Sequence, residues 1–177
     1  MKLFRVADES SFGWNYAKTL MQTAVMWTIF LVVGPFLVHR IEESVVDWGW
    51  QGSRLIGVLV FIAGGSLGLR SGYIMAKIGK GTPLPMDTAR ELVIAGPYRW
   101  IRNPMAVAGT IQSFATGIFL GSPAVFAATV FSATLWHVGV RPSEERDLVE
   151  RFGRPYVDYS HAVRCWIPTL PIPVDFR

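Results

Sequence analysis

Four long apolar runs, parted by clumps of charge, constrain this chain more than any other feature. They fall at about 19–38, 55–75, 104–120 and 124–140. A helix needs roughly 20 apolar residues, or about 17 at the short end, to cross a bilayer core. The expected fold is therefore all-α: an integral membrane helical bundle with about four transmembrane helices and a cytoplasmic C-terminal helical tail. The second run reaches span length only by continuing past Arg70 towards Met75, with the guanidinium snorkelling to the headgroups. Gly34-Pro35 predicts a kink near the end of the first run. Only Gly121-Ser122-Pro123 joins the last two runs, which forces an antiparallel hairpin. Gly64, Gly68 and Gly72 share one face of the second helix, where a neighbouring backbone can approach closely; packing is the favoured reading and room for a ligand the other.

Composition agrees. The chain is 51% apolar and 17% charged, below the roughly 25% charge of soluble domains. Its 177 residues suit one domain, so 1–177 reads as a single membrane domain. The net charge of +4 comes with no basic stripe or nucleic-acid motif, which argues against a nucleic-acid partner. Cys165 is the only cysteine, so no intrachain disulfide is expected. His39, His137 and His161 are scattered and lack metal-ligand spacing, so no metal site is expected. Asp8 and Glu9 interrupt the N-terminal basic region, so it does not read as a cleaved signal.

Loop charge gives an orientation. The segment between runs two and three holds Arg70, Lys77, Lys80, Arg90, Arg99 and Arg102. The tail holds Arg141, Arg146, Arg151, Arg154, Arg164 and Arg177, and the N-terminal segment Lys2, Arg5 and Lys18. The loop between the first two runs has only Arg40 and Arg54. Both termini are expected in the cytoplasm, with binding segments at about 77–103 and 141–170, since scaffolded loops carry function.

The first of these segments ends in "GPYRWIRNPM", Gly96 to Met105. Asn103 is a strong helix N-cap and Pro104 a favoured first helical residue. Gly96-Pro97 reads as a turn, and Tyr98 and Trp100 suit the membrane interface. Jointly, a helix N-terminus with Arg102 beside it would attract a carboxylate or phosphate. After the fourth run, Ser143 reads as a helix cap, and Glu144 and Glu145 as first-turn acids. Those two either accept hydrogen bonds from a ligand's ammonium or hydroxyls, or pair with Arg141 or Arg146. Leu148, Val149 and Phe152 form an apolar stripe that stops at Gly153; Tyr156, Tyr159 and Val163 form a second.

The order "GTPLP", "ELVIAGPYRWIRNPM", a short helical hairpin, then "EERDLVERFGRPYVDYSHAVRCWIP" resembles the isoprenylcysteine carboxyl methyltransferase and phospholipid methyltransferase family of integral membrane enzymes, in its small bacterial form. The likeness covers roughly Gly81 to Pro168. It implies a methyltransferase using S-adenosylmethionine on a lipid or lipid-like acceptor in the bilayer, such as an isoprenylcysteine carboxylate or a phospholipid amine. It also implies a bacterial inner-membrane location. By position, Gly96, Pro97, Tyr98, Arg102, Asn103, Pro104, Met105, Glu144 and Glu145 would line the cofactor, with Arg154, Tyr156 and Tyr159 closing or bracing the site. Arg102, Asn103 and Glu144 would be catalytic. Two positions depart from the family's motif: Asn103 stands where His is usual and Ala106 where Tyr is usual. Asn keeps the cap and a hydrogen-bonding amide but does not titrate near neutral pH. Two rival readings stay open: a sterol-reductase-like membrane enzyme using NADPH, and a non-catalytic four-helix membrane protein.

Overall fold

The computed structural model describes residues 6–47, 50–82 and 88–171. Lys2, Arg5 and Arg177, and the Pro83-Leu84-Pro85 part of "GTPLP", lie outside the described residues. Within them the fold is helical, with one isolated bridge between Val6 and Thr88.

Helix α1 (Phe12–Trp27) begins where the Ser11 hydroxyl accepts the Trp14 N–H. A π-helical stretch, Thr28–Val33, carries it into α2 (Gly34–Val45), so one helical run covers Phe12–Val45. A widened turn lies just ahead of the proline, at the place where the Gly34-Pro35 kink is expected. Pro35 has no N–H and crowds the carbonyl four residues back, that of Leu31. Thr116 Oγ1 donates to that carbonyl at 3.0 Å, so the group the proline leaves unpaired is satisfied from another helix.

Helix α3 (Arg54–Ile74) starts at Ser53, whose hydroxyl accepts the Ile56 N–H, and runs on through a π-helical stretch, Met75–Gly79. Helix α4 (Pro104–Leu120) is capped by Asn103 as expected, Oδ1 accepting the Ala106 N–H at 3.1 Å. Gly121, with φ of 66°, turns the chain, and Ser122 caps α5 (Pro123–Leu135), giving the antiparallel hairpin. A third π-helical stretch, Trp136–Val140, leads into α6 (Arg141–Phe152), and Gly153 separates α6 from α7 (Arg154–Ala162).

Three runs are long and apolar enough to cross a membrane: Phe12–Val45, Arg54–Gly79 and Pro123–Phe152. The third expected span, α4, is apolar but has only 17 residues, about 25 Å at 1.5 Å per residue. The tail also differs from expectation. Ser143 caps nothing, because the helix passes unbroken from α5 into α6. A proline in the first turn of α6, at Pro142, costs little because the wider π turns precede it. The apolar part of this helix ends at Val140, and α6 projects beyond it with seven charged residues, Arg141 to Arg151.

The small-residue face of α3 is used for packing. A Cβ at Gly57 would sit 2.7 Å from Phe119 Cβ, and one at Gly64 would sit 2.9 Å from Gln112 Cγ, both on α4. Gly68 faces Ala108 and Trp27, and Gly72 faces Thr19 of α1. At the far end of the bundle Glu42 of α2 accepts from the Ser122 hydroxyl and from the Ala124 N–H (2.7 Å), tying α2 to the start of α5. At the near end Tyr156, Tyr159 and Val163 bury themselves against Leu92, Ile94, Leu148 and Phe152. The expected apolar stripes therefore pack on protein except at Val149, which is exposed.

Candidate functional site

The near end of the bundle holds a cavity of about 520 Å³. Several segments meet around it: α1, the loop before α4, the cavity-facing side of α4 itself, the α5–α6 helix, α7 and the tail after it. The segments are locked together by backbone bonds. Arg102 N–H donates to Arg164 O at 2.9 Å, Asn103 N–H to Cys165 O at 3.3 Å, and Thr169 N–H to Trp100 O at 2.9 Å. Tyr159 Oη donates to Tyr98 O at 2.6 Å. The tail thus runs back across the entrance of α4, which no local pattern in the sequence specifies.

The mouth of the cavity is charged. Arg102 lies between Glu145, 3.0 Å from Nη2, and the Ser160 carbonyl, 3.1 Å from Nη1. Glu145 also holds Arg141 at 2.9 Å. Arg151 pairs with Asp147 at 2.8 Å and donates to Ala89 O at 2.7 Å. These ion pairs consume most of the charge. Some polar groups of the mouth remain uncommitted among the described residues. Arg102 Nε and Tyr98 Oη are buried without a hydrogen-bond partner, and Glu144 has neither ion pair nor hydrogen bond among the described residues. Burial, reinforced by the nearby Glu145 and Asp147, pushes the Glu144 carboxyl up to about 7. Burial likewise raises the Tyr98, Tyr156 and Tyr159 hydroxyls, so all three stay neutral donors at physiological pH.

Beyond the mouth the cavity becomes an arm between helices. Met105, Ala106, Gly109, Thr110 and Ser113 of α4 form one wall. Opposite them stand Gln22, Thr23, Met26 and Trp27 of α1, with Thr129, Ser132, Ala133 and Trp136 from α5 and its extension. The same space therefore touches ionised side chains at one end and bilayer-embedded helices at the other.

Of the residues singled out from sequence, Tyr98, Arg102, Asn103, Met105, Glu144, Glu145, Tyr156 and Tyr159 line the cavity. Gly96, Pro97, Pro104 and Arg154 do not. Gly96, at φ of 55°, and the buried Pro97 shape the turn that carries Tyr98. Pro104 is wholly buried in the first turn of α4. Arg154 points away: its side chain is 82% exposed and bridges Asp158 on its own helix. Tyr98 is buried and lies at no membrane interface; Trp100, half exposed, fits that role. The acidic pair divides. Glu145 takes Arg141, as one sequence reading allowed, and Arg102 as well, whereas Arg146 bonds Ser143 and the Pro142 carbonyl. The helix N-terminus is also mostly self-satisfied. Asn103 Oδ1 takes the Ala106 N–H, Asn103 O takes the Val107 N–H, and Pro104 has none, which leaves the Met105 N–H.

Sequence reasoning missed Arg141, Asp147, Arg151, Trp136 and Trp166, all of which line the cavity. Spacing held part of the signal, since Asp147 and Arg151 stand at i, i+4. The α1 wall carried one too, a Gln22-Thr23 step inside an apolar run.

These features define an integral membrane protein with a large cavity shared between an ionic mouth and a lipid-level arm. The phospholipid methyltransferase family model matches residues 53–155, more than half the chain, and the chain belongs to that family. It is also similar to protein-S-isoprenylcysteine O-methyltransferase of Mus musculus and of Rattus norvegicus, 31% identical to each over 81 residues. That alignment covers 45% of this chain and 28% of each relative.

Proposed function

We propose that this chain is a membrane-embedded methyltransferase that uses S-adenosylmethionine and acts on a lipid or lipid-like acceptor. The observation that carries this reading is the continuity of the cavity, with an ionic mouth for a charged cofactor and an apolar arm for an amphiphile. Its volume lies within the roughly 300–1,000 Å³ of small-molecule sites. Its uncommitted groups fit the donor: Glu144 would accept from its ammonium or ribose hydroxyls, and Arg102 Nε and the Met105 N–H would donate to its carboxylate. When bound, that cofactor supplies an electrophilic methyl group for in-line displacement. The chain's own part is to hold the reactants in line and exclude water. Asn103 is engaged as a helix cap and carries no titrating proton, so its part is positional. Glu144 is the mouth carboxylate free to hold a proton. A carboxylate acceptor would need no base; a protonated amine would lose its proton to Glu144.

The whole chain reads as one membrane domain, with the mouth and both termini on the cytoplasmic side of a bacterial inner membrane. That placement rests on the lysines and arginines that crowd this end.

Calorimetry on the purified chain in detergent tests the function. S-adenosylhomocysteine should bind and NADPH should not. Binding of NADPH alone would turn the reading to a reductase, and binding of neither to a non-catalytic membrane protein. Mass spectrometry of co-purified lipid then identifies the acceptor class.

A further inference from the structure

His137 belongs to none of the groups discussed so far. From sequence it is an isolated histidine with no metal spacing. In the fold it lies on the π-helical stretch Trp136–Val140, beside the cavity wall. Trp166 Nε1 donates to His137 Nδ1 at 2.8 Å across 29 residues of chain. An indole N–H can only donate, so Nδ1 must carry the lone pair and Nε2 the proton. Arg141 Nη1 lies 3.3 Å from Nδ1 and 3.2 Å from Nε2. In this tautomer the single Nδ1 lone pair is already taken by the Trp166 N–H and Nε2 carries a proton, so the guanidinium lies against the ring without a full hydrogen bond of its own. The Trp166 ring also stands edge-on against Trp136, with centroids 5.4 Å apart at 90°.

We propose that His137 is a positioning residue of the site: its neutral imidazole latches the C-terminal tail across the cavity by holding Trp166, and steadies Arg141. Both partners line the cavity. Arg141 in turn holds Glu145, which holds Arg102, so one line of contacts runs from the tail to the α4 entrance. The groups facing the imidazole are Trp166 from the tail and Arg141 from α6, with Glu145 behind Arg141. The latch depends on one acceptor: without the Nδ1 lone pair, nothing on this helix receives the Trp166 N–H.

This inference concerns the site proposed above but its test does not depend on the cofactor. The full chain is labelled with fluorotryptophan and studied by fluorine NMR in detergent, the Trp166 resonance being assigned by its loss in Trp166→Phe. His137→Gln keeps an acceptor oxygen without a titrating proton; His137→Leu removes the acceptor. The Trp166 resonance should stay near its parent position in His137→Gln and be displaced in His137→Leu. A Trp166 signal that His137→Leu leaves at its parent position, or that His137→Gln displaces as far as His137→Leu does, overturns the latch. Should His137→Leu misfold, seen as aggregation on gel filtration, His137→Ala removes the same acceptor without added bulk and decides the matter. S-adenosylhomocysteine affinity gives a second readout: about tenfold weaker in His137→Leu and within about twofold in His137→Gln. If Trp166 behaves as stated but no variant binds that ligand, the methyltransferase reading fails and the latch stands.

Discussion

Helix α4 has two faces that do opposite work. Ala108, Ile111, Gln112, Ala115 and Phe119 press into the glycine face of α3 so closely that α3 has no room there for a Cβ. On the other side Ala106, Gly109, Thr110 and Ser113 open onto a cavity. Both faces are built from small and apolar side chains, and helical periodicity divides them. The difference is in the partner. Glycines at Gly57, Gly64 and Gly68 let one helix approach until backbone meets side chain, whereas α1 and α5 stand off and leave space. In a bilayer, packing is what holds helices together, because lipid supplies no hydrophobic drive between them. A dense seam on one face lets the other remain open.

The largest expected effect breaks the dense seam. Gly57→Val would push a side chain onto Phe119 Cβ at 2.7 Å and Ala115 O at 2.9 Å. Overpacking costs roughly 1–3 kcal/mol where side chains can yield, and more against backbone. The variant should aggregate or show a sharply lower melting temperature in detergent; the same substitution at Gly109, where nothing lies within 4 Å, should be tolerated.

Next come the two acids at the mouth of the open face. Glu145→Gln strands Arg102 and Arg141, which share it, and should cost about 2–4 kcal/mol in thermal unfolding. Glu144→Gln should leave the fold intact and weaken S-adenosylhomocysteine roughly tenfold. The pH dependence separates them further. Folding raises the Glu144 carboxyl from its ordinary 4.5 to about 7. Between those values the folded chain holds a proton that the unfolded chain releases, which favours the fold. That contribution is fully present on the acid side and is lost as pH rises through about 7. Melting temperature should fall across that window in the parent chain relative to Glu144→Gln.

The smallest effect is expected from Arg154→Ala. That side chain is exposed and bridges only Asp158 on its own helix, an arrangement worth less than about 0.5 kcal/mol. Ligand affinity and melting temperature should stay at parent values. A marked loss of affinity would show that Arg154 reaches the cavity after all.

Much of the local structure was legible. Apolar length gave the helices, Asn103-Pro104 the start of α4, and Gly121-Ser122-Pro123 the hairpin, because each depends on neighbours in the chain. The small-residue spacing on α3 correctly pointed to packing. The continuous α5–α6 helix was not legible. Arg141-Pro142 with Ser143 looks like a stop and a restart, and only the widened turns before it let the helix continue. The acid pair was legible as a pair but not as two different groups. Residue type is the same at Glu144 and Glu145, and their roles are set by which side of α6 faces Arg102.

By itself the sequence determined an all-helical membrane chain, its short hairpin, the capped entrance to α4 and the charge clumps at one end. Those follow from hydropathy, capping and turn chemistry, which act over a few residues. Only the tertiary structure decided that the tail folds back over α4, that Trp166 meets His137, and that Glu144 stays unpaired while Glu145 is shared. Those outcomes depend on contacts between residues far apart in the chain, whose energies no local pattern encodes.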